Sequence, residues 1–150
     1  MKRFHFPLHT VKAIRAHGEV HAREKLAEAV KAAADAQAGL AGWQQRLALV
    51  ESKLSDHRVG RFNGSDVASQ LVAYRNDCVS RDEAIAALRA ARAALAASRD
   101  SYVKAKRELE VMEKLESRAR AAHALETARA EQAELDELAG RMNHSRFARP

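Results

Sequence analysis

The sequence contains few of the residues that interrupt helices or fill thick cores. Among 150 residues there are one cysteine, two prolines and six glycines, and aromatic residues make up 5%. A single cysteine excludes an internal disulfide framework and fits a reducing compartment. No stretch approaches the roughly 20 apolar residues of a membrane-spanning helix, and the opening residues lack the apolar run of a signal peptide. We therefore expect a cytoplasmic protein.

Alanine, leucine, glutamate, arginine and lysine are abundant instead, and 31% of the residues are charged. This composition is typical of long helices and coiled coils and argues against sheet-rich folds. The formal net charge of +6 favours an acidic partner or surface without identifying it.

The residues that break helices cluster between Arg58 and Asp66, where Gly60, Asn63 and Gly64 favour a turn. The two prolines, Pro7 and Pro150, lie where they can border a helix without kinking it. The sequence predicts one domain over residues 1–150, with a helix at about 8–57, a turn at about 58–65, a second helix at about 66–142 and a short basic tail at 143–150. The second helix is longer than the first, so we expect it to have a free end.

Both predicted helices carry apolar residues at alternating spacings of three and four, the heptad pattern of a coiled coil. We call these inward-facing positions the seam. In the first helix the seam comprises Leu26, Ala29, Ala33, Ala36, Leu40, Trp43, Leu47, Val50 and Leu54. In the second it comprises Val67, Leu71, Tyr74, Cys78, Arg81, Ile85, Leu88, Arg92 and Leu95, and a further register comprises Leu125, Ala128, Gln132, Leu135, Ala139 and Met142. Joining these two registers requires a slip between Leu109 and Leu125.

A short polar turn between two heptad helices favours an antiparallel arrangement. The predicted fold is all-α, a long two-helix antiparallel coiled-coil hairpin whose second helix is longer than the first. Two helices alone bury only a thin core. This indicates a protein that is held by partners.

The sequence shows none of the patterns that carry chemistry. Nucleophile elbows, phosphate-binding loops and dinucleotide-binding glycine patterns are all missing. His17 and His21 share a helix face, but the intervening residues do not form the HExxH zinc motif. Cys78 fits a small core residue better than a reactive thiol. We predict no enzymatic activity, no metal and no cofactor.

Two alternative partners follow from the charge distribution. Basic residues are interleaved with acidic ones over most of the chain, and no dense basic block precedes the heptads, so we expect no specific nucleic-acid binding. The amphipathic segment around Phe4, Phe6 and Ile14 has the mixture of apolar and basic residues that is typical of a membrane-surface helix. Docking of this segment onto the second helix or a protein partner is the interpretation that we favour.

The two ends of the sequence carry distinctive patterns. Residues 4–15 (FHFPLHTVKAIR) contain aromatic residues, then aliphatic residues and then arginine. Residues 126–139 (ETARAEQAELDELA) follow the pattern E-x-x-x-x-E-Q-x-E-L-D-E-x-A. These patterns resemble the opening and the close of the flagellar export protein FliJ family, which is related to the YscO-like stalk proteins of type III secretion. The chain departs from the family at Ala133, where lysine is frequent, and Gly18 is unfavourable in a regular coil.

This resemblance implies a coupling component of the flagellar export apparatus, required for motility. Such stalks insert the end that carries both termini into a hexameric, FliI-like export ATPase and stimulate it. Their other part contacts the cytoplasmic domain of an FlhA-like export gate protein, and family members also handle export chaperones. The resemblance places the protein at the inner-membrane face of the flagellar base, as a monomer on its own.

The resemblance also assigns candidate residues to the two ends. The ATPase-binding candidates at the terminal end are Arg15, Arg129, Glu131, Gln132, Glu134, Leu135, Asp136 and Glu137, which antiparallel pairing is expected to bring near each other. The gate-binding candidates near the turn are Trp43, Leu47, Arg61, Phe62 and Tyr74. A stalk of a type III injectisome, a self-associating coiled-coil scaffold and a nucleic-acid-associated protein are the alternatives.

Overall fold

A computed structural model describes residues 3–56 and 64–147. Within these ranges there are two helices, α1 (His9–Asp56) and α2 (Gly64–Phe147), and no strand. The helices pack against each other as an all-α hairpin, as predicted. The predicted turn falls mostly on residues outside the described ranges.

The helix ends differ by a few residues from the sequence-based bounds. α1 begins after Pro7, where the His9 amide donates to the Phe6 carbonyl at 3.2 Å. α2 begins at Gly64 and continues through Phe147, into the segment that the sequence assigned to a basic tail. Residues 143–147 contain neither proline nor glycine, so nothing in them ends a helix.

The chain divides into two compact units, each of which contains part of both helices. The terminal unit comprises the residues up to Glu19 together with those from Ala105 onwards. The turn-side unit comprises Val20–Lys104. Contacts run antiparallel inside each unit. In the terminal unit Lys12 meets Glu116 and Arg15 meets Glu108, and in the turn-side unit Gln37 meets Arg92 and Glu51 meets Tyr74.

In the turn-side unit, the seam of α1 is the one that the sequence predicts. All nine predicted positions from Leu26 to Leu54 are buried or partly buried, and most residues between them are exposed. Leu47 is only 5% exposed. This confirms the predicted heptad register of α1.

The predicted seam of α2 in the turn-side unit is only partly correct. Val67, Tyr74, Arg81, Leu88 and Leu95 are buried or partly buried as predicted. The alternate positions belong to Gln70, Asp77, Ala84 and Ala91, one residue before the predicted Leu71, Cys78, Ile85 and Arg92. Leu71 and Ile85 are 53% and 40% exposed, Arg92 is exposed, and Cys78 is partly buried.

The error in α2 has a physical reason. Spacings of three and four can be continued from the shared positions in either order, and the larger apolar residues favoured the wrong one. The correct order brings Asp77 within reach of Arg46, and its alanines permit close approach of the two helices. An apolar set, including Leu71 and Ile85, is consequently left outside the seam.

In the terminal unit the seam of α2 continues without interruption. Its partly or fully buried residues include a set at alternate spacings of three and four, namely Ala105, Leu109, Met112, Glu116, Ala119 and His123. Glu108 and Thr127 are also partly buried. The predicted slip between Leu109 and Leu125 is therefore wrong over Ala105–His123. The sequence obscured this register because Glu116 and His123 occupy seam positions as polar residues.

Glu116 is held by charge at this seam, which predicts a pH-dependent contribution to stability. Its carboxylate accepts hydrogen bonds from Lys12 Nζ at 2.6 Å and from Arg120 Nη2 at 3.2 Å. The hydrogen bond from Lys12 lowers the pKa of Glu116, partial desolvation opposes this, and Arg120 lowers it further. The stabilisation is therefore present above the unfolded-state pKa, about 4.3, and is lost as the pH falls through the lower folded-state pKa.

We expect Glu116→Gln to lower the melting temperature at pH 7 and to have progressively less effect as the pH falls below about 4. Thermal unfolding followed by circular dichroism at pH 7 and at a pH below about 4 measures this difference in melting temperature. Glu113→Gln is the matched control, because Glu113 is exposed on the same helix. An equal loss of stability for Glu116→Gln at both pH values would show that charge pairing is not the cause.

Candidate partner-binding surfaces

The last part of α2 presents its surface to solvent on all sides. Every residue from Ala128 to Met142 is exposed, including Leu135 at 60% and Leu138 at 55%. We call Ala128–Met142 the terminal segment. The register that the sequence predicted here therefore forms no seam within the described part of the chain, and Leu125, which begins it, is 53% exposed.

The terminal segment is stabilised by pairs within its own helix. Gln132 Nε2 donates to Asp136 Oδ1 at 2.9 Å, and Arg141 pairs with Glu137, both at a spacing of four residues. Such pairs contribute only about 0.2–0.5 kcal/mol each, and an unpacked helix in water is marginal. A partner that covers this segment would therefore also stabilise it.

The charge around the terminal segment is opposite in sign to that of the whole chain. The terminal segment contains four acidic residues and two arginines, a net charge of −2, whereas the chain carries +6. Two exposed leucines, Leu135 and Leu138, lie among these acids. This combination suits a basic surface with a small apolar contact.

Arg15 does not join the other terminal candidates. Its Nη1 donates to Glu108 Oε2 at 2.6 Å, and Glu108 precedes Arg129 by 21 residues, or about 30 Å of helix at 1.5 Å per residue. The expectation that antiparallel pairing brings Arg15 near residues 129–137 is therefore wrong. The reason is the difference in helix length, because α1 has 48 residues and α2 has 84. Lys12, near the start of α1, already pairs with Glu116, so residues 129–137 lie beyond the start of α1.

The aromatic opening of the chain lies closer to the terminal segment than Arg15 does. Phe4 makes an edge contact with the His123 ring at a centroid distance of 5.5 Å. The Arg120 guanidinium lies 5.4 Å from the centre of the Phe4 ring. Phe6 is 7% exposed and anchors the opening within the terminal unit. The interpretation that this opening docks onto the second helix agrees with these contacts, although the sequence did not identify Arg120 or His123.

Near the turn, three of the five gate candidates are described, and Arg61 and Phe62 lie outside the described residues. Trp43 is partly buried, with the Arg46 guanidinium 5.3 Å from its ring centre. Tyr74 donates to Glu51 Oε1 at 2.7 Å, and this bond is the main cause that raises the pKa of Tyr74 to about 12. Leu47 is buried in the seam, so it supports the surface from beneath.

Asp77 is a buried acidic residue that sequence reasoning missed. It is 6% exposed, and its Oδ2 accepts a hydrogen bond from Arg46 Nε at 2.9 Å. Arg46 thus connects Asp77 on α2 with the Trp43 ring on α1. A buried carboxylate in a heptad seam favours one register over its alternatives, because a shifted register leaves it unpaired.

Membrane-spanning helices and metal-binding clusters are both absent from the part of the chain that the structure describes. No helix there is apolar enough over a sufficient length to cross a membrane. No three histidine, cysteine, aspartate or glutamate residues there lie together in a way that could hold a metal ion.

Comparison with known proteins bears on identity through one family model. The model of the flagellar FliJ protein matches residues 4–146. No curated protein and no solved structure gives a significant match. Because the match covers nearly all of the 150 residues, the chain belongs to the flagellar FliJ protein family.

Proposed function

We propose that the protein is the non-enzymatic stalk of a flagellar-type export apparatus, which couples a hexameric export ATPase to the export gate. Membership of the FliJ family supports a role in flagellar export. The proposal that the protein inserts into the ATPase rests on the terminal segment. This segment comprises fifteen helical residues from Ala128 to Met142, and every one of them is exposed. A helix of this kind is available to enter a ring of subunits.

The composition of the terminal segment supports insertion without permanent attachment. A stalk inside a ring meets several equivalent subunits, and tight binding to each of them would hold it in one position. Acidic residues around two leucines bind through charge and a small apolar area, so each contact is of limited strength. The candidates for this contact are Arg129, Glu131, Gln132, Glu134, Leu135, Asp136 and Glu137. Arg15 is assigned to the same end as part of the terminal unit, where its ion pair with Glu108 joins α1 to α2.

The turn-side unit is the proposed contact for the cytoplasmic domain of the export gate. Trp43 and Tyr74 are partly buried at this end, and Arg61 and Phe62 belong to the same proposal. The exposed apolar residues Leu71 and Val72, at 53% and 62%, add to this surface. The sequence-based prediction placed Leu71 in the seam and did not include Val72. Gate binding would locate the protein at the inner-membrane face of the flagellar base, where export chaperones are further partners.

The test is turnover of the flagellar export ATPase from the same organism, measured with and without this protein. We expect clear stimulation, the appearance of ATPase hexamers and a monomeric stalk by sedimentation. A chain that ends at Thr127 is the matched variant, because it lacks the terminal segment but retains the ion pairs from Lys12 and Arg15. Equal stimulation by this shortened chain would overturn insertion of the terminal segment, and no stimulation by either chain would overturn the coupling role.

A further inference from the structure

A second heptad stripe runs along α2 inside the turn-side unit. Six residues follow one another at spacings of four, three, four, three and four, and all six are exposed. We call them the second stripe: Ile85, Arg89, Arg92, Ala96, Arg99 and Val103. The predicted seam of α2 ran through two of these positions, Ile85 and Arg92, which the structure places outside it.

The second stripe carries uncompensated positive charge. Residues 84–104 contain four basic residues and one acidic residue, a net charge of +3. Arg92 Nη2 donates to the neutral amide of Gln37 at 3.3 Å. Within the described ranges, neither Arg89, Arg92 nor Arg99 forms an ion pair. Three arginines on one face are thus available to carboxylates of another molecule.

The ends of the second stripe are apolar. Ile85 is 40% exposed and Val103 is 43% exposed, and they are 18 residues apart, or about 27 Å along the helix. Ala96 lies between two arginines and leaves room for a close approach of another backbone. The order apolar, cationic, small, cationic, apolar is therefore fixed along a line.

This order indicates the chemistry of the occupant. A heptad-spaced line on a coiled coil is followed best by another helix, whose side chains recur with the same period. Duplex nucleic acid or an anionic lipid surface would use the arginines but would gain nothing from Ile85 and Val103 at this spacing.

We propose that the second stripe docks an acidic amphipathic helix of a partner protein along α2. The partner helix places apolar side chains on Ile85 and Val103 and carboxylates on Arg89, Arg92 and Arg99. This site differs from the terminal segment and from the gate candidates. It gives the stalk a third surface, on its flank.

The probe is a synthetic helical peptide of about 28 residues, long enough to span the stripe. It carries one heptad stripe with leucine near both ends and glutamate between them. A second peptide has the same composition in scrambled order. Binding of both to the full chain is followed by fluorescence anisotropy at about physiological ionic strength. We expect saturable binding of the patterned peptide, about tenfold tighter than that of the scrambled one.

The variants separate the stripe from the general charge of the chain. Arg92→Glu with Arg99→Glu is expected to weaken binding by about tenfold or more. Ile85→Ala is expected to weaken it without changing the net charge. The control is Lys114→Glu with Arg118→Glu, which changes the charge equally at exposed positions of the terminal unit and is expected to leave binding unchanged. Helix content measured by circular dichroism verifies that all variants fold.

Several outcomes would overturn the proposal. One is equal binding of the patterned and scrambled peptides, and another is binding that survives the change at Arg92 and Arg99. Tighter binding of a 20-base-pair duplex DNA or of phosphatidylglycerol vesicles, lost in the same variant, would replace the helix by a phosphate-bearing partner. A dimer in sedimentation that this variant dissociates would show that a second copy of the chain covers the stripe.

Discussion

Replacing Leu135 by aspartate is expected to abolish stimulation of the export ATPase while leaving the protein folded. Leu135 is 60% exposed in the structure, so the substitution removes little buried surface and costs little stability. Bound to the ATPase, however, the leucine would bury apolar surface worth about 1.5–3 kcal/mol. Losing this contact corresponds to about a tenfold to hundredfold lower affinity.

Turnover of the ATPase is measured over a range of concentrations of the variant, alongside urea unfolding of the variant alone. Val111→Asp is the matched control, because Val111 is 55% exposed on the same helix and in the same unit, and it is expected to stimulate normally. Stimulation by Leu135→Asp at the concentration that suffices for the unaltered chain would contradict the assignment. If both variants fail equally, added negative charge is the cause and not the position.

The first helix could be predicted from sequence because its seam contains large apolar residues with few competitors. Between Leu40 and Leu54 a leucine, tryptophan or valine occupies each seam position, and the exposed Leu49 is the one large apolar residue off the pattern. A regular heptad of this kind fixes both the helix and the face that it buries. The hairpin follows, because only a turn between two such helices allows one chain to bury both faces.

The second helix could not be resolved to the same degree. Its true seam includes Asp77, Glu116 and His123, which are polar, and several alanines. Burial of these residues depends on partners on α1 such as Arg46 and Lys12. The apolar periodicity of α2 contains no information about those partners. The exposed second stripe, in contrast, contains isoleucine and valine. Apolar character alone therefore assigned the wrong residues to the interior.

The candidate residues of the terminal end could be named from the sequence, but their positions relative to α1 could not. The acidic closing segment and its leucine are visible in the sequence, and so is the aromatic opening. Which residue of α1 faces which residue of α2 depends on the register, and one wrong seam position moves each pairing. Arg15 pairs with Glu108 and not with residues 129–137, because α2 is longer than α1 and its last turns lie beyond the start of α1.

Leu47→Ala is expected to destabilise the protein by about 2–5 kcal/mol, the range for deleting a buried leucine side chain. Leu47 is 5% exposed and belongs to the run of large seam residues between Leu40 and Leu54. Large side chains contribute most of the buried area of a two-helix core, and the neighbouring helix cannot collapse fully onto the cavity. Urea unfolding followed by circular dichroism measures the change through the midpoint and slope.

Leu49→Ala provides a matched control two residues away. Leu49 is 64% exposed on the same helix, so the same substitution should change stability by no more than about 0.5 kcal/mol.

The two variants also separate the two roles considered for Leu47, support of the turn-side surface and direct contact with the export gate. If Leu47 acts only by supporting the turn-side surface, gate binding by Leu47→Ala should weaken in parallel with stability and recover under conditions that stabilise the fold. An unchanged urea midpoint together with lost gate binding would instead make Leu47 a direct contact, and the register assigned to α1 at this position would be wrong.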